Sequence, residues 1–345
     1  MTTLFDHLQP ARSTILWGLS EQHAVYVGDP SDVTYQGTVP WEHVEKLFDY
    51  PIVRAESMHT YPGTDGHQHQ VAGKRSVVGV FEGVPTVFAE GVSERYPIHQ
   101  PLDFLIGKVT PLIGRDLGVT RAGVLKSGAV NFVLAGVPEA ICLPGQTEAN
   151  VSLAAFTSHD QSLATGYSIT TEIVICRNMV SRWLRKQEKN AGLKVKHTAR
   201  SLALTTEHIG EALGLLDAAV AQLTREVEAF LGITMENAVF EKRVHAWAGG
   251  DDAKFATRSD GKPDTATRNR YDEKMATILR LWREDERVSS WRNTGWGALM
   301  ALNTYDQHYQ PIRTSSRSER NALAAINGRR DERDNDFAGR VLGLI

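Results

Sequence analysis

Two hydrophobic rhythms divide this chain. Up to about Val151, short apolar runs are punctuated by Gly and Pro, with YVGDPSD, YPGTDG, FEGVP and LPGQ as turn signals. Between them, SVVGVFEGVPTVFAEGV and AVNFVLAGVPEAICL read as strands, the first folding back around Glu82 and Gly83. Trp41 to Asp49 and the stretch PLDFLIGKVTPLIGRDLG, which begins with Pro, read as short helices. Thr170 to Cys176 is β-branched and reads as a central strand. Asn178 to Asn190 is expected to turn helical, with Met179, Trp183 and Leu184 inward.

After residue 205 the spacing changes to three and four. Ile209, Leu213, Leu216, Val220, Leu223, Val227 and Phe230 mark a helix from a Thr206 cap to Gly232. Further helices are expected over Arg268 to Trp282 and Trp296 to Tyr309. Polar, turn-rich Gly249 to Ala266 reads as a loop or linker. The pattern predicts an α+β fold, with a mainly antiparallel sheet in the first half braced by the long helix. It divides into a strand-rich core (1–205), a helical region packing on it (206–312) and a charged C-terminal arm (313–345). The arm is either a terminal helix or a partly disordered tail ending in an apolar plug.

With 345 residues and 41% hydrophobic content, the chain can bury a sizeable core. Cys142 and Cys176 both sit in apolar runs and read as buried thiols, not as a disulfide or zinc framework. No signal peptide or membrane-length apolar run is read, so a soluble protein of the cytoplasm of a bacterial host cell is expected, with no membrane partner.

Charge changes the picture locally. The formal total is −3, yet Arg177, Arg182, Arg185, Lys186, Lys189, Lys194, Lys196 and Arg200 are opposed over that stretch only by Glu188. Such a run is either a solvated face or a meeting place for a polyanion. Trp183, Trp291 and the group Tyr305, His308 and Tyr309 are interleaved with basic residues, as in proteins that stack bases while contacting phosphates. Trp183 and Tyr305 also fit core positions, whereas Trp291 reads as a loop residue. The expected nucleic-acid-binding set is therefore Arg177, Arg182, Arg185, Lys186, Lys189, Lys194, Lys196, His197, Arg200, Ser158, His159 and Trp291.

Other chemistries leave fainter marks. No Walker A, GxGxxG or GxSxG pattern is present, which argues against an ATP-driven motor. His59, His67 and His69, with Asp65 between them, could converge on a metal, although loop histidines are commonly just exposed. His159 and Asp160 are a candidate acid/base pair. The competing expectation is a turn in which Asp160 bonds the backbone and His159 is exposed. Glu236, Glu241, Asp251 and Asp252 lack a ligand spacing and read as solvated carboxylates. No cofactor is expected.

The succession TSHDQSLATGYSITTEIVICRNM, KVKHTAR, a long helix, TRNRYDEKMATILRLW and WGALMALNTYDQH resembles the phage/plasmid-like family that carries domain of unknown function 932. The family pattern maps onto Ser158, His159, Asp160 and Ser162; Ile175, Cys176, Arg177, Asn178 and Met179; His197 and Thr198; and Trp296, Gly297, Ala298, Tyr305 and His308. Gln161 stands where the family pattern has Gly, and Met179 where it has Thr. The resemblance runs from about Trp41 to Arg313 and implies a mobile-element genome. In outline the chain is also similar to single-strand annealing proteins of the RecT and Red-beta kind. That implies an ATP-independent protein, working as a ring or filament of identical copies, which binds and anneals single-stranded DNA in recombination or replication. The alternatives are a metal-dependent enzyme using the His59/His67/His69 or His159/Asp160 groups, and a non-enzymatic structural or host-interaction protein.

Overall fold

The structure is a computed structural model and describes residues 13–19, 32–57, 60–113, 117–136, 140–174, 178–180, 194–195, 206–254, 256–312 and 316–342. The strands are β1 (Thr14–Leu19), β2 (Val33–Gln36), β3 (Ile52–Glu56), β4 (Thr60–Pro62), β5 (Gln68–Gln70), β6 (Lys74–Phe81), β7 (Val84–Ser93), β8 (Gly118–Leu125), β9 (Val130–Gly136), β10 (Ile141–Leu143), β11 (Thr147–Ser158), β12 (Thr165–Ile173), β13 (Asn178–Val180) and β14 (Lys194–Val195). The α-helices are α1 (Trp41–Phe48), α2 (Pro101–Phe104), α3 (Thr206–Leu231), α4 (Asn237–Trp247), α5 (Gly250–Lys254), α6 (Thr265–Glu284), α7 (Gly295–Thr304), α8 (Arg317–Ile326) and α9 (Arg329–Phe337). The class is α+β, with strands gathered in the first half and helices in the second.

The chain forms two compact units. The first comprises Met1–Glu139, Ser152–Ile169 and Asn190–Leu216; the second comprises Ala140–Val151, Thr170–Lys189 and Asp217–Ile345.

In the first unit the pairing runs β2, β1, β8, β9, then Ser152–Ser158 of β11. It is antiparallel except for β1 against β2. β14 pairs antiparallel with Thr165 and Gly166 of β12. A smaller antiparallel sheet, β3–β6–β7, turns at Glu82 and Gly83, where Phe81 pairs with Val84. Both turn residues have positive φ (51° and 76°), which matches the twist a two-residue hairpin requires. The core joins Val44 and Phe48 of α1 to Phe104, Leu105 and Val109, and to the inward residues Val119, Ala122, Val124, Val133, Leu153 and Ala155. Phe48 stacks on Phe104 with ring centroids 6.3 Å apart. At the rim, the Gln100 side chain accepts from Ile52 N (2.8 Å) and donates to Ile52 O (2.9 Å), standing in for a neighbouring strand beside β3.

In the second unit β10 pairs with Thr147–Ala149 of β11, and β13 pairs with Thr171–Ile173 of β12. Asn178–Val180 is therefore a strand where a helix was expected, because its backbone is used by β12. Cys142 is exposed, where a buried thiol was expected, because the strand alternation turns Leu143 inward instead. Every residue of α7 is buried, so this helix has no solvent face. Met275, Ile278, Leu281 and Trp282 of α6 are buried, as are Ala219, Leu223, Val227 and Phe230 of α3. The stretch expected to be a loop after Gly249 contains α5, and Asp264 caps α6 by accepting from Thr267 N at 3.0 Å. The C-terminal stretch folds as α8 and α9, followed by a π-helical turn over Ala338–Leu342. No helix among the described residues is long and apolar enough to cross a membrane.

Candidate functional site

The Ser158–Ser162 step of the first unit grows out of two adjoining turns. β8 ends at Leu125, and Lys126, Ser127 and Gly128 follow with φ of 50°, 58° and 104°. Gly128 is needed here, since a Cβ would lie 2.9 Å from the Phe88 ring in a backbone region that L-residues rarely adopt. This turn presents the Gly128 carbonyl to Tyr50, whose hydroxyl donates to it at 2.7 Å. Asn131 Nδ2 donates to the same hydroxyl at 2.8 Å. His159 Nε2 lies 3.0 Å from Asn131 Oδ1, which assigns the proton to Nε2 because a carbonyl oxygen can only accept. Tyr50, Asn131 and His159 thus form a buried hydrogen-bonded relay. Burial pushes the Tyr50 phenol far above its usual range.

His159 is 5% exposed, not solvent-facing. Its backbone N–H donates to Ala129 O at 2.7 Å, and its ring stacks on Phe88 at 6.2 Å. Asp160 behaves as the turn chemistry predicts: Oδ1 accepts from Ser162 N at 2.9 Å. Its Oδ2 accepts from Lys126 Nζ at 2.8 Å, and Lys126 also donates to Ser162 Oγ at 3.1 Å. Burial opposes the Asp160 charge, but the bonds from Lys126 and Ser162 outweigh it and hold the carboxyl below its usual range. Ser158 Oγ donates to Leu163 O (2.8 Å) and accepts from Leu163 N (2.9 Å), closing the loop. Gln161 sits at φ 63°, a left-handed position that favours glycine. The residues of Ser-His-Asp therefore engage different partners: Ser158 binds Leu163, Asp160 binds Lys126 and Ser162, and His159 binds Asn131. Tyr50 also lines a cleft of about 440 Å³ with Leu16, Tyr35, His43, Leu47 and Phe81. Lys46, Asp49 and Glu82 also line it.

The second unit buries the other motif residues. Asn178 Nδ2 donates to Thr304 Oγ1 (2.9 Å) and Met300 O (3.2 Å), tying β13 to α7. Gly297 is required because a Cβ would lie 2.2 Å from Trp291 O. Trp291 is 1% exposed and its indole N–H donates to Gly145 O at 2.7 Å. It is a core anchor with no face turned to a ligand, not the loop aromatic that the flanking polar residues suggested. Asp306, in the π-helical turn after α7, gathers three guanidiniums. Arg320 donates to Oδ1 at 2.9 Å, Arg333 to Oδ2 at 2.8 Å, and Arg330 makes a short bond to Oδ2. Burial opposes the Asp306 charge, and the arginines outweigh it to hold the carboxyl low.

The remaining expected residues are scattered. Arg177, Arg182, Arg185, Lys186, Lys189, Lys196, His197 and Arg200 lie outside the described residues, as does His59; Lys194 is described only as a member of β14. His69 Nε2 pairs with Asp65 at 2.8 Å, and His67 is exposed beside them. Glu241 pairs with Arg283 at 2.7 Å. Among the described residues no three His, Cys, Asp or Glu side chains converge to hold a metal. Tyr50, Asn131, Lys126 and the Asp306 arginines were missed from sequence. The one signal for the last was the dense run RRDER downstream of the apolar WGALM helix.

A family model described as a domain of unknown function, DUF932, matches residues 89–326, more than half of the chain. The chain belongs to the DUF932 family. The matched span holds Asn131 and the Ser158–Ser162 turn, the whole of α7, and Asp306 with Arg320, whereas Tyr50, Arg330 and Arg333 lie outside it. The DUF932 segment thus supplies the acceptor of each buried polar network, and the flanking residues complete it. No curated protein and no solved structure matches the chain.

Proposed function

We propose that this DUF932 protein is an ATP-independent, single-strand DNA-binding protein of a phage or other mobile element. In this reading it anneals strands in recombination or replication, acting in the cytoplasm of a bacterial host as a ring or filament of identical copies. One observation carries the reading. The segment 177–200 brings eight cations against one carboxylate in a chain whose formal total is −3. A run of like charges is costly unless it is well solvated or meets an anion, and a polyphosphate chain is such an anion.

The outline likeness to RecT and Red-beta annealing proteins supports the same reading by analogy. So does the lack of a P-loop in the sequence. The nucleic-acid contacts of this proposal are Arg177, Arg182, Arg185, Lys186, Lys189, Lys194, Lys196, His197 and Arg200. Ser158 and His159 contribute by holding the turn.

The test is fluorescence anisotropy with labelled single-stranded and duplex DNA over a salt series, without ATP or metal. The expected result is tighter single-strand binding that weakens as salt rises. Replacing Arg182, Arg185 and Lys186 by Ala should reduce the slope of log K against log salt by about two, at roughly 0.7 for each phosphate left unneutralised. Absence of binding at low salt would overturn the function. An unchanged slope in the triple variant would overturn the site.

A further inference from the structure

The second unit holds a cleft of about 320 Å³ beside the Asp306 cluster, formed by α4, α6, the turn after α7 and α9. Two of its cations keep unused donors. Arg333 gives Nη1 to both oxygens of Asp306, and among the described residues its Nε and Nη2 have no partner. Lys274 Nζ lies 3.9 Å over the Trp247 ring and has no hydrogen bond or ion pair among the described residues. Burial lowers the Lys274 pKa, with Asp306 and Asp336 acting against that shift. Neither carboxylate is open to it. Asp306 is already shared by three arginines. Asp336 accepts from the Trp247 indole at 2.7 Å and pairs with Arg340 at 2.6 Å.

A half-buried ammonium and a half-satisfied guanidinium lining one cleft leave donors that an anion can take up. A tetrahedral oxyanion suits them, since Lys offers a point charge and Arg a planar fork. The cleft is larger than an inorganic ion needs and falls at the small end of organic ligand sites. Its remaining walls are Trp247, Tyr305 and Phe337, with the Gln310 amide and the exposed Glu332 carboxylate at the rim. The Gln310 carbonyl already accepts from Arg320 at 2.7 Å, so it is the Glu332 carboxylate that favours a ligand carrying N–H or O–H donors. We propose that this cleft binds a nucleoside monophosphate, with the phosphate on Lys274 and Arg333 and the nucleoside against the aromatic wall. The same chemistry is offered by a free nucleotide and by the 5′-phosphorylated end of a strand. None of the lining residues belongs to the basic segment.

Calorimetric titration of the full chain with dAMP, deoxyadenosine and inorganic phosphate tests this. The expected result is saturable dAMP binding at least about tenfold tighter than either fragment. Lys274→Met should lose about tenfold in dAMP affinity with an unchanged melting temperature, and Lys274→Arg should retain binding. An absence of dAMP binding, equal affinity for deoxyadenosine or for phosphate alone, or an unaffected Lys274→Met variant would each overturn the site. An oligonucleotide compared with and without its 5′-phosphate identifies the source. A Lys274-dependent gain from the phosphate assigns the ligand to a strand end, and equal binding of the two assigns it to the free nucleotide.

Discussion

The two units bury motif polar groups by opposite means. Around Asn131 amide, phenol and imidazole groups are joined without a carboxylate or guanidinium: Tyr50 to Gly128, Asn131 to Tyr50, His159 to Asn131. Around Asp306 one carboxylate meets three guanidiniums, two of them largely buried, and the buried Asp334 lies 3.8 Å from Arg330. Such a relay carries little electrostatic leverage, and losing one member strands one or two dipoles. An ionic hub is asymmetric, because removing the anion leaves the cations repelling each other in a poor solvent. The first device fixes a shape. The second makes the packing of three helices depend on the Asp306 charge.

The largest effect that would break this contrast is at Asp306. Asp306→Asn should cost about 3–5 kcal/mol in urea unfolding, the range for an uncompensated buried charge. A loss as small as that of a neutral hydrogen bond would mean that the arginines are solvated after all. Next is Gly297→Ala, whose methyl would press on the Trp291 carbonyl; about 1–3 kcal/mol of destabilisation is expected by the same assay. Asn131→Ala should cost about 1–3 kcal/mol, because Tyr50 and His159 each lose a partner inside the core. Tyr50→Phe should cost less, near 1 kcal/mol.

Acid sharpens the comparison. The Asp306 carboxyl is held low in the folded state, so its contribution is complete above the unfolded carboxyl pKa, near 4. It is lost as pH falls through the lower folded value. Unfolding free energies measured from pH 6 down to pH 2 should fall more steeply for the wild type than for Asp306→Asn. Parallel curves would show that the hub is not what titrates. The smallest expected change is Gln161→Gly, a gain of no more than about 1 kcal/mol from relieving a left-handed non-glycine residue.

The fold was largely legible because its signals are local. The Glu82–Gly83 turn, the α1 and α3 periodicities and the buried WGALM stretch all appear where pattern and turn chemistry place them. The sites were legible only in half. Adjacent residues after a strand diverge, which correctly separated His159 from Asp160, yet nothing near His159 announces Asn131, 28 positions away. Polar neighbours made Trp291 read as a loop residue, whereas its burial depends on Gly145, 146 positions distant. Asp306 looked like one carboxylate in a helical motif, and its arginines arrive 14, 24 and 27 residues later. Charge on a sequence reports how many ions there are, and only the tertiary fold says which of them share a partner.

That lag has a consequence during synthesis. The ribosome delivers Asp306 first and Arg333 last, so the carboxylate emerges before any of its partners. The strand-rich first unit has most of its chain in hand by then and can form early. The second unit must wait, with the turn after α7 lacking its full set of ionic partners until Arg333 has been delivered. A chain halted between Asp306 and Arg333 therefore carries a helix built for burial beside a carboxylate that has not met its arginines.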